Sequence, residues 1–397
     1  LAFGGGRFRH RAARVALCGV ATAFGVALVE APTVLLGIDY QERFGTSFGD
    51  PWLQLSARGN RLDPELLHVH APYSVFRGRV RGNLADLGIP EPREYEVDVR
   101  YDGNGFRNDR DYARADVAAI GDSFVEAALV PLEETVVKRL ERSLGRPTVN
   151  LGQAAYGLRQ ELAVLRRYAL PLRPKEILWF FFDGNDLRDV DGYEWARAHL
   201  AELTVARPLS TRLFTRNALL AAVMLAERRQ REPFGEARRH AGLFRRPDGT
   251  VERMYLDRRL PSPTEKQWRV LTETLMEARE LSERAGARMT VVYITRKSRI
   301  YRDLVEIEPG SMLAEWEMND LPDALSKWCA SAGIGYIDTI APLRAAAERG
   351  EEIYLPDDVH WSSRGHEIAA EAILRGSGLQ SFDDSSVESA RGEGAPH

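Results

Sequence analysis

Cysteine is nearly absent from this 397-residue sequence. Its only two, Cys18 and Cys329, stand far apart, and Cys18 lies within an apolar stretch. That excludes a disulfide framework and argues against a bridge between the pair. No Cys/His cluster has metal-ligand spacing, so no metal centre is expected and no cofactor is implied. A basic stripe is missing as well. Acidic and basic side chains are interspersed, 58 against 54, for a formal charge of −4, which gives no footprint for nucleic-acid binding.

Long apolar runs are scarce, with one exception. From Val15 to Ile38 the chain is almost continuously apolar and follows Arg7, Arg9, His10, Arg11 and Arg14. This length crosses a bilayer as one helix, and the basic flank places residues 1–14 in the cytoplasm and everything after Tyr40 outside it. Glu30 and Pro32 interrupt the run and allow a second reading, in which Val15 to Val29 is the core of a signal peptide cleaved after Ala31, with secretion as the outcome. A buried soluble helix fits least, given the basic flank and the lack of helical periodicity.

Residues 39–93 are rich in Gly, Pro, Arg and scattered aromatics, and read as an irregular stalk. Glu94 to Tyr101 alternates charged and apolar residues as a half-exposed strand does, and the main domain is expected to run from about 94 to 376. From Asp116 the pattern alternates strand and helix: strands at Val117 to Ile120, Thr148 to Leu151, Ile177 to Phe182, Met289 to Thr295 and Tyr336 to Ile340, with helices near Glu133 to Leu144, Arg159 to Leu170, Glu265 to Ala285, Asp320 to Ala332 and Arg364 to Leu374. This predicts an α/β fold, a three-layer flavodoxin-like parallel sheet with its loops gathered on one edge. Trp179 to Phe182 reads as a strand buried on both faces. Residues 189–263 break the rhythm with an apolar helical run around Leu213 to Leu225 and a charged Glu227 to Glu232. They read as a mostly helical insertion, either a surface excursion or a lid. Residues 377–397 read as a disordered tail.

The stretch Asp116 to Phe124 carries the chemistry. A short apolar run stops at Gly121-Asp122-Ser123 and a helix-like segment follows, which puts a hydroxyl at the carboxyl edge of a parallel sheet, where ligands bind. Ser123 is the candidate nucleophile; Asp122 and Ser123 also suit plain helix capping. A nucleophilic serine needs a base, an orienting carboxylate and oxyanion donors. His360 follows Asp357 by three positions, so one tight turn lets that carboxylate hold the imidazole, with Asp358 as a competitor. Asn150 to Gly157 and Asp183 to Asp186 each follow a predicted strand.

This ordered set resembles the SGNH, or GDSL-type, serine hydrolase family, in a membrane-associated, extracytoplasmic form, over about Tyr101 to Arg375. The resemblance implies a triad of Ser123, His360 and Asp357, and an oxyanion hole from the Ser123 and Ala155 amides and the Asn185 side chain, with Gly157 or Gly152 as substitute donors. Ala155 and Asp183 stand where the family usually has Gly. Phe106-Arg107-Asn108 is similar to a segment that membrane-associated members often carry before the first core strand. The implied activity is that of a serine esterase acting on acylated envelope or exported carbohydrate, by hydrolysis or acyl transfer. A lipase or thioesterase, and a non-catalytic carbohydrate-binding or assembly protein, are the alternatives. Trp361 suits site wall or packing equally, His366 reads as structural and Asp186 as a holder of the Asn185 loop. His68, His70, His199 and His240 have no evident partner.

Overall fold

The computed structural model describes residues 5–44, 60–84, 89, 92–200, 209–230, 238–256 and 262–379. The expected tail lies almost wholly outside the described residues, as do parts of the expected stalk and insertion. Two compact units emerge, one of residues 1–58 with 201–232 and one of residues 59–200 with 233–397.

The first unit is helical. Gly5–Leu36 forms one helix, followed by Tyr40–Phe44, and the insertion supplies Leu209–Arg212 and Phe214–Gln230. Ala13–Leu36 is long and apolar enough to cross a membrane, by length and composition. Glu30 does not interrupt this helix. It is 8% exposed, and its carboxylate accepts hydrogen bonds from the Phe214 amide (2.7 Å), the Thr215 amide (2.8 Å) and the Thr215 hydroxyl (2.5 Å). Those amides open a helix and have no partner within it, so an acidic side chain stabilises them.

In the second unit the strands are, in chain order, β1 (Asn60–Asp63), β2 (Leu67–His70), β3 (Val75–Arg81), β4 (Glu94–Arg100), β5 (Val117–Gly121), β6 (Thr148–Gly152), β7 (Glu176–Phe182), β8 (Ala241–Arg245), β9 (Val251–Tyr255), β10 (Arg288–Ile294), β11 (Val305–Ile307) and β12 (Gly335–Asp338). Five of them make the central parallel sheet in the order β12-β10-β7-β5-β6. The chain thus starts in the interior of the sheet, steps to one edge and returns past its start, the doubly wound order expected. Alternate residues of β7 feed two cores. Leu178, Phe180 and Phe182 face one with Phe124, Leu140 and Ile373; Trp179 and Phe181 face the other with Leu162, Leu271 and Leu325. Burial on both faces is what makes this strand apolar at every position.

Three expectations need correction. Residues 60–84 are not a stalk: β1 pairs with β2 and β3 with β4, antiparallel, and all four belong to the second unit. The insertion is not one body either. Its middle joins the first unit, while β8 and β9 build a three-stranded sheet with β11 in the second. A helix at Ile340–Glu348 follows β12, where the sequence reading carried the strand to Ile340.

Candidate active site

Ser123 opens a one-turn helix, Ser123–Glu126, directly after β5, and Asp122 caps it by accepting from the Phe124 amide at 2.9 Å. The capping role read for Asp122 is therefore real and compatible with a functional Ser123. The turn requires glycine at 121, because a Cβ there would lie 2.7 Å from Val125 Cγ2 and 3.0 Å from Phe180 Cβ.

His360 reaches Ser123 across the sheet edge, its Nε2 lying 2.7 Å from Oγ. Asp357 does not hold the imidazole, and this corrects the expectation drawn from spacing. His360 Nδ1 lies 2.5 Å from Asp358 Oδ1, which also accepts from the His360 amide at 2.8 Å. Nδ1 carries the proton toward the carboxylate, leaving Nε2 to accept from the Ser123 hydroxyl. The carboxylate of Asp357 is turned instead to the Tyr95 hydroxyl (2.5 Å) and the Arg93 amide (2.6 Å). The tight turn lets adjacent residues face opposite ways, one into the site and one into its support.

Burial alone would lower the pKa of His360, but the charge and hydrogen bond of Asp358, with Asp122 and Glu126 further off, raise it above the ordinary imidazole value. Asp358 shifts the other way. Burial raises its pKa, yet the His360 charge and the donors from His360 and Asn83 leave it lowered overall. This is the balance a base needs: an imidazole able to take a proton and a carboxylate that stays ionised.

Two supports of this turn were invisible in the sequence. Lys297, wholly buried, donates from Nζ to the carbonyls of Leu355 and Pro356, both at 2.6 Å. Asn83 and Leu84, just after β3, hold the turn as well: the Asn83 amide donates to Asp358 Oδ2 (2.6 Å), the Val359 amide to Asn83 Oδ1 (3.1 Å) and the Leu84 amide to the Asp357 carbonyl (3.1 Å). Gly82 permits the approach, since a Cβ there would meet the Asp357 carbonyl oxygen at 2.3 Å.

The loops after β6 and β7 leave the two strands that flank β5. Ala155 is exposed and left-handed, with φ of 63°. Its chain neighbour is pinned: the Ala154 amide donates to Glu126 Oε2 at 2.6 Å and its carbonyl meets His68 Nε2 at 3.0 Å. Glu126 also accepts from the Tyr101 hydroxyl (2.7 Å) and lies 3.2 Å from His70 Nε2. Burial opposes ionisation of Glu126, but these partners hold its pKa at about 2. His68 is driven down by burial to about 4 and is neutral. The two β2 histidines without an evident role thus fix the Ala155 loop. Gly157 caps the following helix and its amide donates to Gln160 Oε1 at 3.2 Å, which makes it a poor substitute for Ala155. Gly152 ends β6 and donates to Asn150 Oδ1 at 2.9 Å.

Asn185 Nδ2 lies 3.5 Å from the Tyr156 carbonyl, linking the two loops. Asp186 accepts from the Phe182 amide at 2.8 Å and shapes its loop. Asp183, in place of the usual Gly, accepts from the Tyr293 hydroxyl (2.8 Å) and the Arg296 amide (2.9 Å), tying the loop to the end of β10. Buried Arg107 clamps the turn after the serine helix through the carbonyls of Glu126 and Val130, at 3.1 and 2.7 Å, and of Ala127, while Asn108 pairs with the Asn150 backbone. Trp361 is buried and packs its ring against Phe124, so it is packing. His366 accepts from the Val136 amide at 3.3 Å and is pushed by burial to about 3, a structural neutral imidazole. No cluster able to hold a metal ion occurs among the described residues.

A serine and histidine at hydrogen-bond distance on the carboxyl edge of such a sheet, followed by the ordered loops, form an arrangement similar to that of SGNH hydrolases of the GDSL type. Residues 252–390 match the family described as SGNH hydrolase-like domain, acetyltransferase AlgX. Two curated relatives are named probable alginate O-acetylase AlgJ: that of Pseudomonas syringae pv. tomato is 31% identical over 96 residues, 24% of this chain and 23% of the relative, and that of Pseudomonas putida is 26% identical over 104 residues, 26% of each. The chain spans about a quarter of the length of the curated relatives it matches. Among solved structures, a catalytic mutant of Axe2, an acetylxylan esterase from Geobacillus stearothermophilus, aligns at 13% identity with a TM-score of 0.37, covering 69% of this chain and 99% of that one. The lipase/acylhydrolase of Enterococcus faecalis aligns at 14% with a TM-score of 0.34, covering 65% and 93%.

Proposed function

We propose that this protein transfers or hydrolyses acetyl esters on an envelope or exported polysaccharide, using Ser123, His360 and Asp358. The observation that carries the reading is the 2.7 Å approach of His360 Nε2 to Ser123 Oγ with Asp358 behind it. In the first half-reaction Oγ attacks the ester carbonyl carbon and its proton passes to Nε2. The Ser123 and Ala155 amides and Asn185 Nδ2 stabilise the oxyanion; the C–O bond to the donor alcohol breaks and that oxygen takes the proton from His360. In the second, a sugar hydroxyl or water gives its proton to Nε2 and attacks the acyl carbon; the bond to Oγ breaks and Oγ takes that proton back, restoring Ser123. Polysaccharide O-acetylation is supported by the AlgX family match and by the names of the AlgJ relatives. The apolar Ala13–Leu36 helix supports a membrane anchor with the catalytic unit outside the cytoplasm; a signal sequence passes the same length and composition test.

The test is labelling of the full chain with a fluorophosphonate, followed by peptide mapping, beside turnover of a chromogenic acetyl ester with and without an acetyl-accepting polysaccharide. Labelling at Ser123 and acceptor-stimulated turnover are expected. A wild-type protein that neither labels nor turns over, yet binds polysaccharide, would overturn the catalytic reading in favour of a binding protein on the same fold.

A further inference from the structure

The middle of the insertion presents apolar side chains with no visible reason to be outside. On the helix Phe214–Gln230, Leu219 is 67% exposed, Val223 46% and Leu225 53%. Leucine and valine scattered singly on a surface need no explanation, but Leu219 and Val223 stand one turn apart on one face and Leu225 on another, so a helix whose segment Phe214–Ala226 is apolar exposes apolar side chains on more than one side. The start of this helix is fixed to the N-terminal helix by a polar lock, the Glu30 carboxylate on the Phe214 and Thr215 amides and the Thr215 hydroxyl. Aromatic rings reinforce it: Phe214 lies 5.0 Å from Tyr40 and 5.6 Å from Phe44, centroid to centroid.

The position of the lock sets a depth. Glu30 stands six residues before Leu36, about 9 Å back along a helix rising 1.5 Å per residue. A carboxylate at that depth in hydrocarbon is costly unless its lone pairs are satisfied within the protein, and here the opening amides of the second helix satisfy them. Phe214–Ala226 is about 20 Å long, too short for the roughly 30 Å hydrocarbon core. In the sequence it is followed by Glu227-Arg228-Arg229-Gln230-Arg231-Glu232, three arginines against two glutamates, a net positive stretch of the kind drawn to anionic headgroups.

We propose that Phe214–Ala226 is a second membrane element, half-inserted in the leaflet from which the chain leaves after Leu36, with Leu219, Val223 and Leu225 against lipid acyl chains. This rests on the reading of Ala13–Leu36 as membrane-embedded. The occupant is a bilayer with anionic lipid, because the helix to which this one is locked, Ala13–Leu36, also exposes apolar side chains, Val20, Phe24 and Leu28, and the segment is followed by arginines. The insertion then serves as a second anchoring point, in place of a lid.

The experiment uses the full chain in vesicles of phosphatidylethanolamine and phosphatidylglycerol, with a membrane-impermeant maleimide. Native Cys18, exposed on the first helix, reports on that helix, since Cys329 is buried. In a Cys18→Ser background, Leu225→Cys reports on the second helix and Glu283→Cys, at a half-exposed site of the catalytic unit, is the accessible control. Burying one leucine-sized side chain, such as the remaining Leu219, favours the inserted position by about 10- to 100-fold, so Leu225→Cys should label more slowly than the control by about that factor and recover on denaturation. Rapid labelling of Leu225→Cys with Cys18 protected would overturn the proposal while leaving the anchor standing. Rapid labelling of both would overturn the membrane reading itself. Slow labelling with oxidative formation of a Leu225→Cys disulfide dimer would replace lipid by a second copy of the chain.

Discussion

Asp358 and Asp357 are consecutive in the chain, and the structure assigns them opposite duties: Asp358 holds His360 Nδ1 at 2.5 Å, while Asp357 receives the Tyr95 hydroxyl at the same distance. Loss of charge at the first should therefore act on the reaction and loss at the second on the fold of the turn. For Asp358→Asn, kcat should fall by up to about 10⁴-fold, the scale seen when a triad aspartate becomes an amide that favours the wrong imidazole tautomer. Asp357→Asn should leave kcat within about tenfold and lower stability by about 1–3 kcal/mol, the cost of a weakened buried hydrogen-bond acceptor. Steady-state kinetics on an acetyl ester and urea denaturation of both variants distinguish the two; the reverse ranking would return Asp357 to the triad.

The pH profile follows from the same pair. His360 must be neutral to accept the Ser123 proton, so activity falls as pH drops through its pKa, and Asp358 raises that pKa above 6.5. The acid limb should consequently lie above pH 6.5 in the wild type, and in Asp358→Asn it should move to lower pH as the maximum rate collapses. Measuring kcat/KM from acid to mildly alkaline pH gives the free-enzyme value. An acid limb that stays fixed in the variant would mean that another group controls it.

Asn185 is the side-chain donor proposed for the oxyanion, and its Nδ2 stands 3.5 Å from the Tyr156 carbonyl, at the long end of hydrogen-bond distance. Asn185→Ala should lower kcat by about 10²- to 10³-fold. Thermal unfolding should move little. A variant with wild-type turnover would confine Asn185 to shaping its loop.

The five core strands were legible because each is a short apolar run ending at a turn signal, and Ser123, His360 and the loops beside them were legible because they sit at those ends. The carboxylate was not. Spacing along a turn cannot tell whether residue 357 or 358 faces the imidazole, since that depends on Tyr95, Arg93 and Asn83, more than two hundred and fifty positions away. The same holds for Lys297, whose position in the sequence gives no hint of the carbonyls it meets, and for His68 and His70, which belong to a two-stranded sheet with little periodicity to read. Glu30 looked like a fault in an apolar run because its partners, Phe214 and Thr215, lie in a segment that reads as an unrelated excursion.

Glu126 offers the last prediction, because it ties the Ala155 loop to the segment before the sheet through His70, Tyr101 and the Ala154 amide. Its folded pKa is about 2 against an ordinary 4.5, a depressed carboxylate. The stability it contributes is fully present above pH 4.5 and is lost as pH falls toward 2. Glu126→Gln preserves the shape but replaces one acceptor oxygen by a donor that faces the Ala154 amide or the Tyr101 hydroxyl. It should be less stable at neutral pH and lose less on acidification, so its stability curve against pH should be flatter than that of the wild type between pH 4.5 and 2. Because Ala155 follows the pinned residue, kcat should drop as well, while Asp358 keeps its charge and the pKa of His360, to which Glu126 is the last of the raising contributions, moves slightly down. Urea denaturation at a series of pH values, run beside the acid limb of kcat/KM, reads both. Parallel stability curves for the two proteins would show that Glu126 titrates in the folded chain as it does in the unfolded one.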